Sequence, residues 1–191
     1  MAISNVIGIS GSLRAKSYHK GLLRAASDLA PTSIRLRQVS IADLPLYNLD
    51  IQELGMPSAV LELAEHVANA DGLLIAAPEY NGTISSPLKN AIDWLSRIAP
   101  PIFVNKPIAI VSASSGRLGG ARAQYDLRKC LTLLGGLVMP RPEIFICSAR
   151  EVFDADGCLR GTAEIKMLSQ HLLAFDQWMK SMARAFGASE T

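Results

Sequence analysis

Short apolar runs closed by Gly, Pro or Ser alternate along this chain with longer segments whose apolar residues recur every three or four positions. Two of these runs, 6–10 and 72–77, are apolar almost throughout, as expected of strands buried on both faces of a sheet. Alternation of such strands with helices is typical of proteins in which helices cross over between parallel strands. The chain is therefore predicted to be an α/β protein with a parallel central sheet.

The same patterns give approximate limits for the other elements. Run 34–39 alternates apolar and polar residues, which indicates an edge strand. Segment 163–186 has apolar residues at steps of three or four, which predicts a long amphipathic helix docked on the sheet. The remaining predictions are a strand at 107–112, a fifth strand contributed by 137–139 and 144–146, and helices at 19–29, at 57–70, from 87 onward and at 121–134.

Five strands connected in this way fit the flavodoxin-like arrangement, a three-layer, doubly wound parallel sheet with strand order 2-1-3-4-5. The 191 residues and the 49% hydrophobic content suit a single domain spanning 1–191. In this order the first and third strands are neighbours at the switch point, beyond whose carboxyl ends ligands bind. The loops after Ser10 and Ala77 are therefore predicted to form one crevice.

Charge and cysteine content narrow the class of partner. The net charge is +2 and the basic residues are scattered, so we predict neither a nucleic-acid nor a membrane surface, and the expected partners are small molecules. Three cysteines without a Cys-x-x-Cys pair suit neither a disulfide framework nor a zinc site, which indicates a reducing compartment. Segment 1–5 lacks the features of a signal peptide and no apolar run reaches membrane-helix length, so a cytoplasmic protein is predicted.

No metal site is predicted, because His19, His66 and His171 are far apart in the sequence and lack a clustered Cys or carboxylate pattern. The motif Asp154-Ala155-Asp156-Gly157 resembles the start of a calcium loop, but its glycine comes two residues too early for an EF-hand. This motif is predicted to be a turn.

The segment after the first strand, 11–17, is a candidate anion site. It supplies a flexible glycine, the hydroxyls of Ser12 and Ser17, backbone amides and Arg14 close to a helix N-terminus. It matches neither a Walker motif nor the Gly-x-Gly-x-x-Gly of a dinucleotide fold, which leaves a monophosphate ester as the natural ligand. The alternative is an ordinary capped helix start, but the position at the first strand of a doubly wound sheet favours the anion site.

Two further loops carry residues suited to a flat polar ring. Pro78-Glu79-Tyr80-Asn81-Gly82 combines a rigid proline, an aromatic ring, an amide and a glycine, and its backbone N–H groups suit the pyrimidine edge of a flavin. Taken alone, its Asn-Gly pair favours a simple tight turn. The loop 112–120 is rich in Ser and Gly, but it lacks the Gly-x-Ser-x-Gly elbow of a hydrolase. Three such loops at adjacent strand ends predict one binding site.

Taken together, four motifs resemble the NADPH-dependent FMN reductase family, particularly its quinone and chromate reductase branch, over nearly the whole chain. These motifs are Gly11-Ser12-Leu13-Arg14-x-x-Ser17, Pro78-Glu79-Tyr80-Asn81, Pro87-Leu88-Lys89-Asn90-Ala91-Ile92-Asp93-Trp94 and Ser114-x-Gly116-x-x-Gly119-Gly120-Ala121-Arg122.

The resemblance implies which residues bind FMN. The phosphate is expected to contact the first loop, at Ser12, Leu13, Arg14, Ser17, Tyr18 and His19, and the ring to contact the other two, at Pro78, Glu79, Tyr80, Asn81, Ser114 and Gly116. The family usually has Asn at the position of His19, so its phosphate contact is expected to be weaker or to depend on imidazole protonation. No catalytic side chain is predicted, because the flavin carries out hydride transfer.

The resemblance also implies the reaction and the assembly. Relatives of this kind use ping-pong chemistry, in which NADPH or NADH reduces the flavin at N5 and leaves before a quinone, chromate, a ferric complex or a similar acceptor binds. They form homodimers or homotetramers through the helices after the third and fourth strands. Here those helices carry Trp94, Arg97, Arg122, Tyr125 and Arg128, although an exposed helix face would explain these residues nearly as well.

Two other classes of function remain. A flavodoxin-type electron carrier would share the fold and the FMN but not react with nicotinamide nucleotides. Such carriers resemble strongly acidic proteins, whereas this chain has a net charge of +2. A flavin-free regulatory or scaffold domain is the third possibility, and it would ignore added FMN.

Overall fold

The computed structural model describes residues 3–187, which form a six-stranded parallel sheet with helices on both faces and a separate two-stranded hairpin. Residues 1, 2 and 188–191 of the predicted domain lie outside this range. The strands are β1 Ser4–Ser10, β2 Ile34–Val39, β3 Gly72–Ala76, β4 Glu79–Tyr80, β5 Thr83–Ile84, β6 Pro107–Ala113, β7 Leu137–Val138 and β8 Ile144–Ile146. The helices are α1 Tyr18–Leu29, α2 Leu49–Leu54, α3 Ser58–Ala68, α4 Ser86–Leu95, α5 Ala121–Leu133, α6 Ala149–Val152 and α7 Thr162–Gly187.

The sheet has the order β2-β1-β3-β6-β7, and every pair along it is parallel. This order is the predicted 2-1-3-4-5, so the flavodoxin-like fold class is confirmed, as is the edge position of β2. The central strands are in close register, with Ser10 opposite Ala76 and Ala76 opposite Val111. Because these strands run in the same direction, the loops that follow β1, β3 and β6 begin side by side at one edge of the sheet.

The fifth position of the sheet holds two short strands rather than the predicted single one. β7 pairs with the beginning of β6, where Pro107 faces Leu137, and β8 pairs with its end, where Ala113 faces Ile146. Pro140 and Pro142 lie between them and supply no N–H group to a strand ladder, which explains the interruption.

Side chains from two helices bind the carbonyl groups around this interruption. Arg128 Nη1 donates to Met139 O at 2.9 Å, and Gln124 Nε2 donates to Ile144 O at 2.6 Å. His171 Nδ1 lies 2.8 Å from Pro142 O. These contacts hold the irregular segment in place without a continuous strand.

Two apolar layers fill the space between the sheet and its helices. One layer joins α3, α4 and α5 to one face of the sheet, and the other joins α1 and α7 to the opposite face. Each central strand contributes to both layers, which explains its unbroken apolar sequence. In α7 the buried apolar residues recur every three or four positions and confirm the predicted amphipathic helix: Leu168, Leu172, Phe175 and Met179.

Several short elements escaped sequence analysis. α2 and α6 have six and four residues, too few for a periodic pattern to be recognised. Within residues 3–187, no helix combines the length and apolar character needed to cross a membrane, and no group of His, Cys, Asp and Glu side chains is arranged to hold a metal ion. Cys130, Cys147 and Cys158 are all free thiols.

We predict that His171 makes the stability of the fold depend on pH. Burial lowers the pKa of His171 from 6.5 to about 4, so as the pH falls below 6.5 the unfolded chain takes up the proton before the folded chain. The free energy of unfolding then decreases by about 1.4 kcal/mol per pH unit toward pH 4. Between pH 7.5 and pH 5, the free energy of unfolding should therefore fall by about 2 kcal/mol more for the wild type than for His171→Gln, as measured by urea unfolding at the two pH values.

Leu172→Ala serves as the control, because Leu172 is buried in the same helix but does not titrate. It should lower the free energy of unfolding by a similar amount at both pH values. A His171→Gln variant that loses as much stability as the wild type on acidification would contradict the prediction.

Candidate cofactor-binding site

The loops after β1, β3 and β6 converge on a cleft of about 140 Å³. It lies beyond the carboxyl ends of the three central strands, where the fold is expected to bind ligands. Its walls combine hydroxyl groups, one guanidinium group and two tyrosine rings. The lining residues are Ser12, Arg14, Ser17, Tyr18, His19, Pro78, Glu79, Tyr80, Ala113, Ser114 and Ser115.

The first two loops are held against each other at Gly11. Its N–H donates to Ala76 O at 2.9 Å, and its carbonyl accepts from Ser85 Oγ at 2.7 Å. A Cβ atom on residue 11 would lie 2.6 Å from Cδ of Pro78, which is closer than carbon atoms approach. Glycine is therefore required here so that the two loops can meet, and the predicted crevice between them is present.

The first loop forms an anion-binding arrangement at the N-terminus of α1. Ser17 caps this helix, with its Oγ accepting from His19 N at 3.2 Å, which leaves the hydroxyl hydrogen available to a ligand. Ser12 is buried beside it, Arg14 is exposed, and the first turn of α1 contains no acidic residue. The capped helix start and the anion site therefore coexist, and this set of donors fits a phosphate group.

The second loop is a β-hairpin, formed by β4 and β5 around Asn81 and Gly82. Both turn residues have positive φ, 52° and 80°, as a two-residue type I′ turn requires. The tight turn that the Asn-Gly pair favours is therefore present, and the residues that precede it still line the cleft.

Arg122, at the start of α5, fixes the hairpin through Glu79. Its backbone N–H donates to Oε2 of Glu79 at 3.1 Å, and its Nε donates to Oε1 at 2.7 Å. The negative charge of Glu79 at the wall of the cleft is thereby paired with the positive charge of Arg122. Tyr80 lines the cleft and is about half exposed, so the fixed hairpin presents an aromatic side chain to a ligand.

The third loop is held by its own hydroxyl groups. Ser112 Oγ donates to Gly119 O at 2.6 Å and accepts from Gln124 Nε2 at 2.8 Å. Ser114 Oγ accepts from Gly116 N at 3.1 Å, which turns the loop sharply at the end of β6. The loop can therefore present Ser114 to a ligand without reorganising.

His19 links α1 to the ends of two strands. Ala113 N donates to its Nε2 at 3.4 Å, and a second hydrogen bond joins the imidazole to the backbone of Ala77. Burial, with a smaller contribution from the nearby Arg14, lowers the pKa of His19 to about 4, so the ring is neutral near pH 7. The protonation-dependent phosphate contact suggested by the sequence is therefore not expected at neutral pH.

Most of the residues proposed from the sequence line the cleft. Leu13, Asn81 and Gly116 do not: Leu13 faces a neighbouring groove with Lys20 and Gln38, and Asn81 lies at the tip of the hairpin. Ala113 and Ser115 line the cleft and were missed. Both residues adjoin Ser114 at the end of a predicted strand, and this position could have identified them as part of the site.

The helices expected at a subunit interface differ in exposure. Trp94 is buried within its own chain, where its Nε1 donates to Pro45 O at 2.8 Å, so it does not lie on an exposed interface as the sequence suggested. Arg97 lies over the ring of Tyr47 at 5.1 Å. Tyr125 remains about half exposed on α5.

A larger groove of about 650 Å³ lies on the far side of the hairpin. Its lining, which is more apolar than that of the cleft, includes Ile84, Lys89, Asp93, Asp126 and Lys129. None of the anion donors of the first loop lies in it, so the smaller cleft is the better candidate for a phosphate-bearing cofactor.

The chain is similar in sequence to known proteins of one family. Residues 4–151 match the sequence profile of the family described as NADPH-dependent FMN reductase. An NAD(P)H-dependent FMN reductase of Pseudomonas aeruginosa is 44% identical over 93% of this chain and 96% of its own. A quinone reductase of Escherichia coli is 45% identical over 72% of this chain and 74% of its own.

A solved structure shows the same relationship. FerB of Paracoccus denitrificans, a flavoenzyme NAD(P)H:(acceptor) oxidoreductase, aligns with a TM-score of 0.86 at 32% identity, over 94% of this chain and 99% of its own. The profile match, the identities above 30% and this structural agreement confirm the predicted family, enzyme class and FMN cofactor. The chain belongs to the NADPH-dependent FMN reductase family, whose members are FMN-dependent enzymes supplied with electrons by a nicotinamide nucleotide.

Proposed function

We propose that this protein transfers electrons from NADPH or NADH to quinones and comparable small acceptors through FMN bound in the three-loop cleft. One observation carries the proposal. Donors suited to a phosphate and a rigid aromatic hairpin suited to a flat ring meet in the same cleft at the switch point of the sheet.

The residues divide into two groups by the part of the cofactor that they would hold. Ser12, Arg14 and Ser17, with the amides at the start of α1, would bind the phosphate. The segment 78–80 and Ser114 would flank the ring, with backbone N–H groups available to its polar edge. Bound FMN supplies the two-electron chemistry, and the protein supplies binding and orientation.

The cleft wall contains one carboxylate, that of Glu79, and one imidazole, that of His19, and both are already engaged. The Glu79 carboxylate is paired with Arg122, and the His19 imidazole is neutral and hydrogen-bonded to the backbone. Hydride transfer to a flavin needs neither an acid nor a base from the protein. We therefore assign these two residues to positioning the hairpin and α1.

We propose a ping-pong order of substrates, because the nucleotide and the acceptor must both reach the same ring through one cleft. Quinones, chromate and ferric complexes are the proposed acceptors, since an open flavin face accepts oxidants of many shapes. The free cysteines suit a reducing, cytoplasmic location. We place the contact of a homodimer or homotetramer at the groove beside the hairpin, where Lys89, Asp93, Asp126 and Lys129 alternate in charge around an apolar floor.

An absorbance spectrum of the purified protein, followed by anaerobic titration with NADPH and with NADH, tests cofactor and donor together. Steady-state oxidation of the nucleotide in the presence of a quinone then tests turnover. A flavin-loaded protein that shows no turnover would favour the electron carrier, and a colourless protein that ignores added FMN would favour the flavin-free domain. Parallel lines in double-reciprocal plots would support the ping-pong order.

We predict that Arg14→Gln weakens FMN binding by about tenfold to a hundredfold, because a charge-assisted bond to the phosphate contributes about 1.5–3 kcal/mol. Riboflavin, which lacks the phosphate, should bind both proteins equally. Quenching of flavin fluorescence measures both dissociation constants. Arg35→Gln, at an exposed position on the edge strand β2, is the charge-matched control and should leave both constants unchanged. Equal weakening of both flavins by Arg14→Gln would place Arg14 away from the phosphate.

A second prediction concerns His19→Asn. Because the pKa of His19 is lowered to about 4, the ratio of the FMN dissociation constants of variant and wild type should stay constant between pH 6 and pH 8. Taking the ratio cancels the titration of the FMN phosphate itself. If the ratio changes by more than about threefold over this range, His19 titrates near neutrality and contacts the phosphate.

A further inference from the structure

The segment 148–160, which we call the brace, connects the end of β8 to the beginning of α7. Most of it lies beyond residues 4–151, which match the family profile. Contacts at its two ends join the third loop of the cleft to the first, although these loops are about a hundred residues apart in the sequence.

At its beginning, the brace is bonded to the backbone of the third loop. Ser148 N donates to Gly116 O at 3.3 Å, and Ala149 N donates to Ser114 O at 2.9 Å. Ser148 has a φ of 46°, an uncommon value for serine, and this turn directs the chain from β8 into α6. The backbone that carries Ser114 is therefore fixed by the first residues of the brace.

Toward its end, the brace packs on the first loop and on α1. Gly157 has a φ of 74° and lies against the backbone of Lys16. A Cβ atom on residue 157 would lie 3.4 Å from the carbonyl carbon and oxygen of Lys16. A Cβ atom on Gly21 would overlap Gly157 O, so at this point the helix and the brace are in direct backbone contact. The brace therefore packs directly against the segment that carries the proposed phosphate donors.

Side chains strengthen this contact. Arg24 Nη2 donates to Asp156 O at 3.2 Å and to Gly157 O at 3.0 Å. The rings of Tyr18 and Phe153 lie 4.9 Å apart. Tyr18 both lines the cleft and touches the brace, so a shift of the brace would be transmitted to the cleft wall.

Asp154 gives the brace its shape. Its Oδ1 accepts from Asp156 N at 3.0 Å and from Cys158 N at 2.8 Å, and its Oδ2 accepts from Arg160 Nε at 2.8 Å. These hydrogen bonds hold the pKa of Asp154 below its usual value, and the bond from Cys158 N has the largest effect. The turn predicted at 154–157 is present, and the Asp154 carboxylate is its centre.

We propose that the brace sets the position of the first loop, which carries the phosphate donors, relative to the third loop, which carries Ser114. Asp154 and Gly21 act through the brace as positioning residues for FMN. The proposal rests on the proposed function, since it assigns the phosphate to the first loop. A rigid brace holds the two loops at the spacing that the phosphate and ring of one FMN molecule require, so less binding free energy is lost in ordering them. Its loss should therefore weaken FMN more than riboflavin.

The first test is Gly21→Ala. Alanine favours a helix over glycine, so α1 itself is not weakened, but the added methyl group must displace Gly157 and with it the brace. Fluorescence titration should show a dissociation constant for FMN raised about tenfold, with that for riboflavin changed less than about twofold. The control is Ser27→Ala, which also introduces alanine into α1 but at an exposed position.

The second test reaches the brace from its exposed side, where a folding failure is less of a risk. Asp154→Ala removes the acceptor for three N–H groups and should reduce the preference for FMN over riboflavin in the same way. Asp154→Asn keeps an oxygen for the two backbone donors and should restore most of the preference. A purely structural role would lower the melting temperature of these variants without changing the ratio of the two dissociation constants.

The outcomes separate the two proposals. A wild type that does not prefer FMN to riboflavin overturns the phosphate site and the proposed function. A wild type that prefers FMN, with Gly21→Ala and Asp154→Ala variants that fold and keep the full preference, overturns the role of the brace alone. Should Gly21→Ala fail to fold, the comparison of Asp154→Ala with Asp154→Asn decides the question.

Discussion

Parallel pairing of β1, β3 and β6 is the constraint on which the rest of the structure depends. Because the three strands run together and end at matching levels, their loops have to meet at one edge of the sheet. The strands are also covered on both faces, so most of their side chains serve packing alone. The residues that line the cleft consequently lie in the loops and in the segments next to them, and the sheet determines where these segments begin.

The close approach of these loops leaves little freedom at a few backbone positions. Gly11 allows the first loop to touch Pro78, and Gly21 allows α1 to touch the brace. At both positions a glycine brings together two segments that are distant in the sequence. Close contacts at these glycines and side-chain hydrogen bonds such as those of Ser85 and Glu79 therefore hold the site together.

The fold was predictable because its signals are local. The apolar runs at 6–10 and 72–77 and the periodicity of α7 each reflect burial that a short window of sequence reveals. Most of the cleft followed, since Ser12, Arg14 and Tyr80 lie directly after predicted strands. What escaped prediction depends on contacts over long distances. The neutral state of His19 arises from burial and from the nearby Arg14, and the bonds of Ser148 depend on where β8 ends, so neither has a signature in its own segment.

The interrupted fifth strand also bears on how copies of this chain meet. An open sheet exposes unpaired N–H and C=O groups along its outer strands, and long, flat edges invite the edges of other sheets to pair with them. Here one edge is divided into β7 and β8, of two and three residues, with Pro140 and Pro142 between them. The opposite edge, β2, carries the exposed charges of Arg35 and Arg37. Both borders resist aggregation through strand addition, which leaves the helical faces as the surfaces on which an ordered assembly can be built.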